Sequence, residues 1–290
     1  MDKPHATLPQ TALAPATKAP QGAWDCHFHM IGGPKDFPLW DGRVEDPAPG
    51  PDFLDWIALY RQHSETLGFS KGVIVHSILY GTDNTITTEA LKTLGPDYAG
   101  VGLLPDGATH QQIAQFAQDG MRAVRLNYVH GGVLTWDGAK AMAPALADAG
   151  LHIQMLCHAD QHMAQLADDV RALPVPVVFD HCAWPTSGLA PDAPGLDALC
   201  ALLAEGHAYV KLSALYRLCA APYTDADALV RRLLSANPNA CLWGSDWPYL
   251  MLADAQSPQP ADLLDALHRV ATPQEQRLIH VENPSRLFAP

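Results

Sequence analysis

Short apolar runs alternate along this chain with longer stretches whose apolar residues recur at helical spacing. The runs predict strands at 23–28, 72–75, 98–103, 123–126, 151–156, 175–180, 208–213 and 240–244. Helices are predicted at 52–67, 85–94, 109–118, 138–149, 161–172, 194–205 and 224–235, with a helical tail over 259–281. This alternation predicts an α/β protein, a (β/α)8 TIM-type barrel. An open doubly wound sheet is the alternative, but no G-x-G-x-x-G motif follows an early strand.

The 290 residues are enough for one large barrel, and we expect a single domain over residues 22–290. Residues 1–21 are rich in Pro, Ala, Thr and Gln and lack a charged segment followed by an apolar one. They predict a disordered N-terminal tail instead of a signal peptide. The long Gly/Pro-rich loop at 31–51 is expected to be functional, because loops of that length are uncommon in compact domains.

Charge and composition restrict the partners. A net charge of -13 argues against binding nucleic acid or an anionic membrane surface, and no apolar run approaches the roughly 20 residues that span a bilayer. The six cysteines form no C-x-x-C motif, so we expect reduced thiols in a cytoplasmic protein. The net charge is compatible with a small anionic substrate if arginines lie in a pocket, and the sequence predicts no oligomeric state.

Polar residues cluster where the predicted strands end, which is the face of a barrel that carries active sites. His27 and His29 are two residues apart on the first strand, so both imidazoles project from one face. The residues at these ends are His27, His29, Ser77, Tyr80, Arg125, Asn127, Gln154, His181, Ser213, Arg217 and Asp246.

Four stretches carry a resemblance to a known family. They are Asp25-Cys26-His27-Phe28-His29, Phe179-Asp180-His181, Lys211-Leu212-Ser213 with Tyr216-Arg217, and Trp243-Gly244-Ser245-Asp246-Trp247-Pro248. Together they resemble the amidohydrolase superfamily, and within it the branch of 2-pyrone-4,6-dicarboxylate lactonase and sugar-acid lactone enzymes. The resemblance implies a barrel and a hydrolytic site. Arg125 and Gln154 stand where binuclear members place a bridging lysine and a histidine, which argues against a two-metal centre.

The residues themselves suggest how a lactone would be opened. Asp246 is the expected base, with its pKa raised if Trp243 and Trp247 shield it from water. The three histidines His27, His29 and His181 would polarise the carbonyl. The predicted substrate-binding residues are Arg125, Arg217, Ser77, Tyr80, Asn127 and Gln154, with the two arginines holding a carboxylate.

Metal dependence and the exact reaction stay open at this stage. We expect no cofactor, although His27, His29 and Asp246 would also suit a single zinc ion. The predicted function is hydrolysis of a carboxylated lactone. Alternatives are a sugar-acid lactone isomerase of the D-galactarolactone type, a zinc-dependent decarboxylase, and a non-catalytic barrel that binds sugar acids. Each histidine and arginine also has a purely structural interpretation, as a core hydrogen-bonding group or an ion-pair partner.

Overall fold

Eight parallel strands pair in chain order to form one sheet in the computed structural model, which describes residues 3–190, 192–252 and 255–289. Each strand is buried, and most are followed by a helix that covers the outside of the sheet. The predicted TIM-type barrel is therefore confirmed. The strands are β1 (Trp24–Phe28), β2 (Lys71–Val75), β3 (Tyr98–Gly102), β4 (Met121–Asn127), β5 (His152–Leu156), β6 (Val177–Phe179), β7 (Ala208–Lys211) and β8 (Cys241–Leu242).

The helices lie close to their predicted positions. Side chains that cap their first turns explain several of the starts, such as Asp52 before α1 and Thr109 before α3. None of the described helices is both long and apolar enough to cross a bilayer. The helices are α1 (Phe53–Leu67), α2 (Thr85–Leu94), α3 (His110–Gln118), α4 (Trp136–Asp148), α5 (Ala159–Ala172), α6 (Leu196–Glu205), α7 (Asp227–Ala236), α8 (Pro260–Val270), α9 (Pro273–Arg277) and α10 (Asn283–Phe288).

The C-terminal tail, predicted to be helical over 259–281, is helical but is divided into separate segments. Helix α8 ends at Val270, and Thr272 begins a new helix by accepting a hydrogen bond from the backbone N–H of Glu275. The Glu275 carboxylate in turn accepts a hydrogen bond from the backbone N–H of Thr272, which completes a capping box, and Pro273 occupies the first helical turn. The predicted helical tail did not include this division, because the start signal at Thr272 lies inside an apolar pattern.

The barrel closes where the chain leaves β8 and runs beside β1. The backbone N–H of Cys26 donates to the carbonyl of Trp243 at 2.9 Å, and that of Asp246 donates to the carbonyl of His27 at 2.8 Å. The Asp25 carboxylate accepts from both the backbone N–H and the hydroxyl of Ser245, at 2.8 and 2.6 Å. Asp25 thus joins the two motifs and fixes Asp246 beside the histidines.

Gly244 permits this close approach, since a Cβ added there would lie 2.4 Å from the Cβ of His27. We predict that Gly244→Ala lowers the free energy of unfolding by about 1–3 kcal/mol, because the two backbones must separate. Urea unfolding measures the loss, with Gly33→Ala as the control: an added Cβ at Gly33 meets no described heavy atom within 4 Å. Equal effects of the two substitutions would contradict this explanation.

The N-terminal segment lies against the barrel. Within residues 3–21, which contain no described helix or strand, the backbone N–H of Ala19 donates to the carbonyl of Leu67 and that of Ala16 to the carboxylate of Asp265. Nearer the start, Ala6 and Asp46 are joined by a 2.8 Å backbone hydrogen bond. The segment therefore contacts the loop after β1 and helix α8. Disorder of residues 1–21 stays a prediction.

Several histidines are buried as neutral groups, and the clearest is His63 on α1. Neither of its ring nitrogens has a hydrogen-bond partner among the described residues, and burial lowers its pKa to about 3. An unfolded chain takes up the proton near its ordinary pKa of about 6.5. Stability contributed by neutral His63 is therefore complete above that value and is lost as the pH falls toward 3.

We predict that lowering the pH from about 7 to about 5 removes roughly 2 kcal/mol of stability through His63. The variant His63→Phe should be less sensitive to acid by that amount, since it has no proton to exclude. Asp25, whose pKa burial raises to about 6, acts in the opposite direction but equally in both proteins. Urea unfolding over this pH range measures the difference, and parallel curves for the two proteins would contradict the assignment.

Candidate active site

A cavity of about 310 Å³ opens at the carboxyl ends of the strands. Its lining residues come from the ends of the strands and from the loops that follow them. Of the predicted site residues, His29, Ser77, Arg125, Asn127, His181, Arg217 and Asp246 line it. Its other lining residues are Val44, Glu45, Ile78, Leu79, Leu103, His130, Gly131, Gly132, Val133, Leu134, Leu156, Trp184, Leu250 and Met251.

The Asp246 carboxylate uses its two oxygens differently. Oδ2 accepts a 2.5 Å hydrogen bond from the Tyr216 hydroxyl and a 3.3 Å bond from Nε of Arg217. Oδ1 faces three imidazole nitrogens, Nε2 of His27 and His29 at 3.5 Å each and Nε2 of His181 at 3.9 Å. One oxygen therefore anchors the side chain, and the other is directed at the histidines.

The expected raised pKa of Asp246 was wrong. Burial would raise the pKa, but the electrostatic effect of the neighbouring His181 and Arg217, together with His29 at 3.5 Å, lowers it well below its usual range. Arg217 is the permanent cation among these neighbours. Asp246 is buried, and the two tryptophans pack on other aromatic rings, Trp243 stacked on Phe69 and Trp247 edge-on against Trp56. Asp246 is therefore ionised at neutral pH.

The backbone is strained at the acid and at one of its histidines. Asp246 has a φ of 62° and His181 a φ of 55°, in the left-handed region that residues with a Cβ rarely adopt. Strained backbone of this kind concentrates at functional sites, where surrounding contacts hold it. The hydrogen bond from the Asp246 N–H to β1 is one such contact.

A fully buried group of charges lies beneath His27. The ammonium of Lys211 donates to Oε1 of Gln154 at 2.6 Å and lies 3.3 Å from both Oδ1 of Asp180 and Nδ1 of His27. Gln154 also donates to Oδ2 of Asp180 at 3.0 Å. Burial would raise the pKa of Asp180, but Lys211 and His27 lower it far below its usual value. Asp180 and Lys211 therefore form a buried ion pair that supports His27.

The hydrogen bond made by Nδ1 of each histidine determines whether its Nε2 presents a proton or a lone pair to the site. Nδ1 of His29 lies 2.7 Å from the carbonyl of Val75, so this nitrogen carries a proton and neutral His29 presents a lone pair at Nε2. Nδ1 of His181 faces the Ser213 hydroxyl at 2.9 Å, which either donates or accepts. Nδ1 of His27 faces both a donor, Lys211, and an acceptor, Asp180. His27 and His181 are thus free to present an N–H at Nε2.

The lowered pKa values of His181 and His27 agree with neutral rings at these two positions. Burial lowers the pKa of His181 to about 4, against the opposing charges of Asp246 and Asp180. Burial and the Lys211 charge lower the pKa of His27 well below its ordinary value. Both rings are neutral at neutral pH, and Nε2 of His27 has no hydrogen-bond partner among the described residues. His27 is fully buried and does not line the cavity, so this nitrogen faces Oδ1 of Asp246 at 3.5 Å.

Arg217 and Arg125 differ in how many of their hydrogen-bond donors are already used within the protein. Arg217 uses Nε for Asp246 and Nη2 for the carbonyl of Leu250, and its guanidinium lies over the rings of Tyr216 and Trp184. Arg125 donates from Nη1 to the carbonyl of His76, while its buried Nε has no partner among the described residues. Arg125 therefore has more free donor capacity toward the cavity.

The other predicted binding residues lie in different environments. Ser77 lines the cavity, and its hydroxyl caps the turn at Leu79. Asn127 also lines it, with its side-chain oxygen accepting from the backbone of Val129 and His130. Tyr80 and Gln154 do not line it: Tyr80 exchanges hydrogen bonds with the backbone of Gly32, and Gln154 contacts Asp180 and Lys211.

Four residues were absent from the predicted site, Glu45, Asp180, Lys211 and Tyr216. Lys211 and Asp180 stand at the ends of apolar strands in the sequence. This pattern indicates a buried ion pair, since such charges are rarely buried unless paired. Tyr216 adjoins Arg217 on the loop after β7 and was part of a recognised motif. Glu45 gave no local signal, because its position depends on the course of a long loop.

Two groups of potential metal ligands occur among the described residues. In the first, His27, His29 and Asp246 bring their ligand atoms within 4.8 Å of one another, and Nε2 of His27 lacks a partner. This donor set fits one zinc ion. The second group consists of His27, Asp180 and His181. The Lys211 ammonium lies 3.3 Å from Asp180, so a positive charge of the protein itself already stands where a metal ion would bind.

Comparison with known proteins places the chain. The family model described as Amidohydrolase matches residues 24–289. The chain belongs to the amidohydrolase family. This amidohydrolase is 31% identical over 288 residues to a 4-sulfomuconolactone hydrolase of Hydrogenophaga intermedia, covering 93% of this chain and 89% of that one.

Two further proteins are similar to this chain, one in sequence and one in structure. A 2-pyrone-4,6-dicarboxylate hydrolase of Comamonas testosteroni is 29% identical over 290 residues, covering 95% of this chain and 93% of its own. The crystal structure of a probable 2-pyrone-4,6-dicarboxylic acid hydrolase from Acinetobacter baumannii has a TM-score of 0.79 at 20% identity. It covers 92% of this chain and 99% of the other. At that identity the structural likeness supports the fold alone.

Proposed function

We propose that this amidohydrolase hydrolyses a carboxylated lactone, with Asp246 accepting the proton of the attacking water. The observation that carries the proposal is the Oδ1 atom of Asp246 facing Nε2 of His27, His29 and His181 at 3.5 to 3.9 Å. The relatives named as lactone hydrolases support the reaction class. A cavity of about 310 Å³ suits a small ring.

The proposed reaction divides the work among these side chains. Water adds to the lactone carbonyl as Asp246 Oδ1 takes its proton, and the carbonyl oxygen becomes an oxyanion. The Nε2–H group of neutral His181, which lines the cavity, stabilises that oxyanion. The ring C–O bond then breaks, the leaving oxygen recovers a proton, and the product is a hydroxy acid. His29 presents a lone pair when neutral and so is assigned to hold the water or the returning proton.

The low pKa of Asp246 fits proton transfer during bond formation. A weakly basic carboxylate does not deprotonate bulk water, but the water becomes strongly acidic as its oxygen bonds to carbon. The carboxylate is also ionised throughout the neutral range, so the base form is always available. Tyr216 and Arg217 hold Oδ2, which leaves Oδ1 to receive the proton.

Substrate binding is assigned mainly to Arg125. Arg125 lines the cavity and its Nη2 makes no hydrogen bond to a described residue, so it suits a carboxylate, which accepts two hydrogen bonds from one guanidinium. Ser77 and Asn127 lie nearby on the cavity wall. Arg217 is assigned to positioning Asp246, with Nη1 left for a substrate oxygen.

Metal independence stays part of this proposal. One zinc ion would be held by His27, His29 and Asp246 and would supply an activated water. The metal-free version assigns carbonyl polarisation to the Nε2–H group of His181. It predicts that dialysis against a chelator leaves kcat/KM unchanged and that purified protein contains no stoichiometric metal by elemental analysis. Activity lost on dialysis and restored by zinc would contradict it.

Isomerisation between lactone ring sizes is the second candidate, because the same acid and histidines also move a proton without water addition. The distinguishing experiment offers the protein a panel of carboxylated lactones and follows the product by NMR. Hydrolysis gives a ring-opened hydroxy acid, and isomerisation leaves an intact ring. Absence of any turnover above an Asp246→Asn control would refute both.

A further inference from the structure

Glu45 is a carboxylate in the cavity that the proposed reaction does not use. It belongs to the loop after β1 and is only 6% exposed. Its Oε1 accepts a 2.7 Å hydrogen bond from the backbone N–H of Met251, which holds the side chain against the loop after β8. A buried carboxylate in a substrate cavity constrains the charge of whatever binds there.

Only some of the charged side chains that line the cavity are paired with one another. Apart from three histidines, the charged residues that line it are Glu45, Arg125, Arg217 and Asp246. Arg217 and Asp246 are bonded to one another, so their charges offset. One positive charge, on Arg125, and one negative charge, on Glu45, are left to face a ligand.

The nearest basic residue on the loop does not neutralise Glu45. Arg43 donates to the Asp46 carboxylate at 2.5 Å and to the carbonyl of Trp40 at 2.9 Å, and it does not line the cavity. Because β4 and β8 lie on opposite sides of an eight-stranded barrel, Arg125 and the β8 loop that binds Glu45 stand across the cavity from each other. The cavity is therefore cationic on one wall and anionic on the other.

Resting on the proposed lactonase function, we propose that Glu45 selects lactones with a single carboxylate, bound at Arg125, and with hydroxyl groups on the opposite side of the ring. Hydroxyl groups donate well to a buried carboxylate. A second carboxylate at that wall meets the like charge of Glu45, and the cation that acts on Glu45, Arg217, is already bonded to Asp246, which disfavours binding. The substrate class is thus a monoanionic, hydroxylated lactone instead of a dicarboxylate.

The test compares two lactones in the wild type and in Glu45→Gln. One is D-galactarolactone, with one carboxylate and several hydroxyls, and the other is 2-pyrone-4,6-dicarboxylate. Consumption is followed by NMR, which detects ring opening and isomerisation alike. We expect Glu45→Gln to raise kcat/KM for the dicarboxylate about tenfold or more and to lower it severalfold for the monocarboxylate. Glu45→Lys should move the ratio further in the same direction.

The matched control is Asp41→Asn, which removes the same charge from an exposed position on the same loop outside the cavity. Its ratio of the two kcat/KM values should equal that of the wild type. Comparing ratios between variants cancels the different intrinsic reactivities of the two rings. A ratio that Glu45→Gln leaves unchanged, or that Asp41→Asn changes equally, would overturn the role of Glu45.

Failure of the underlying function gives a different result. Consumption of neither lactone by the wild type refutes the lactonase proposal, and the charge preference is then read from their dissociation constants by calorimetry. Tighter binding of the dicarboxylate, or equal effects of Glu45→Gln on both, refutes the selection by Glu45. Tighter binding of the monocarboxylate that Glu45→Gln reverses supports it.

Discussion

Replacing Asp246 by asparagine is expected to lower kcat for lactone hydrolysis by about 10²–10⁴-fold with a smaller change in KM. The amide still accepts hydrogen bonds from Tyr216 and Arg217, so the side chain keeps its place. It has no carboxylate oxygen to take the proton of the attacking water. Steady-state kinetics on any lactone that the wild type consumes measures the effect.

Tyr216→Phe is the matched comparison for Asp246. It removes the 2.5 Å hydrogen bond to Oδ2 but leaves Oδ1 facing the three histidines. A loss much smaller than that of Asp246→Asn is expected, because the phenol positions the carboxylate without touching the reacting atoms. Asp246→Asn with kcat close to the wild type would show that another group takes the proton.

Replacing Lys211 by methionine is expected to lower the free energy of unfolding by about 3–5 kcal/mol, because it leaves the Asp180 carboxylate buried without its cation. Methionine is close to lysine in volume, so packing changes little. Urea unfolding measures the loss. The double variant Lys211→Met with Asp180→Asn should recover part of it, since no unpaired charge is then buried.

Lys140→Met is the control for a general effect of removing a lysine. Lys140 also pairs with an acid, at 2.8 Å from Asp169, but both side chains are partly exposed to solvent. Exposed pairs contribute little to stability, so we expect little change. If Lys211→Met is no less stable than Lys140→Met, the buried pair does not have the role assigned here.

The barrel was predictable because its evidence is periodic. Alternating apolar runs and amphipathic helices extend over the whole chain, so errors of one or two residues at element ends do not change the architecture. The break at Thr272 was missed because a capping box is a local signal inside a region whose apolar spacing still resembles one helix.

The sequence predicted which residues lie at the site better than it predicted what each of them does there. Parallel strands bring their carboxyl ends together, so seven of the ten predicted residues line the cavity. The partners of Gln154 were not predictable, because an inward amide looks the same whether it meets substrate or a buried lysine. The pKa of Asp246 was misjudged because it depends on the distance to Arg217, which a loop determines.

In the proposed reaction, water adds to a lactone carbonyl with Asp246 as the proton acceptor. Hydrolysis in water enriched in ¹⁸O, with the product analysed by mass spectrometry, tests it most directly. We predict one ¹⁸O atom in the new carboxylate of each product molecule formed by the wild type, at a rate that Asp246→Asn reduces by about 10²–10⁴-fold. Turnover of the lactone into a product without the label would contradict this reaction.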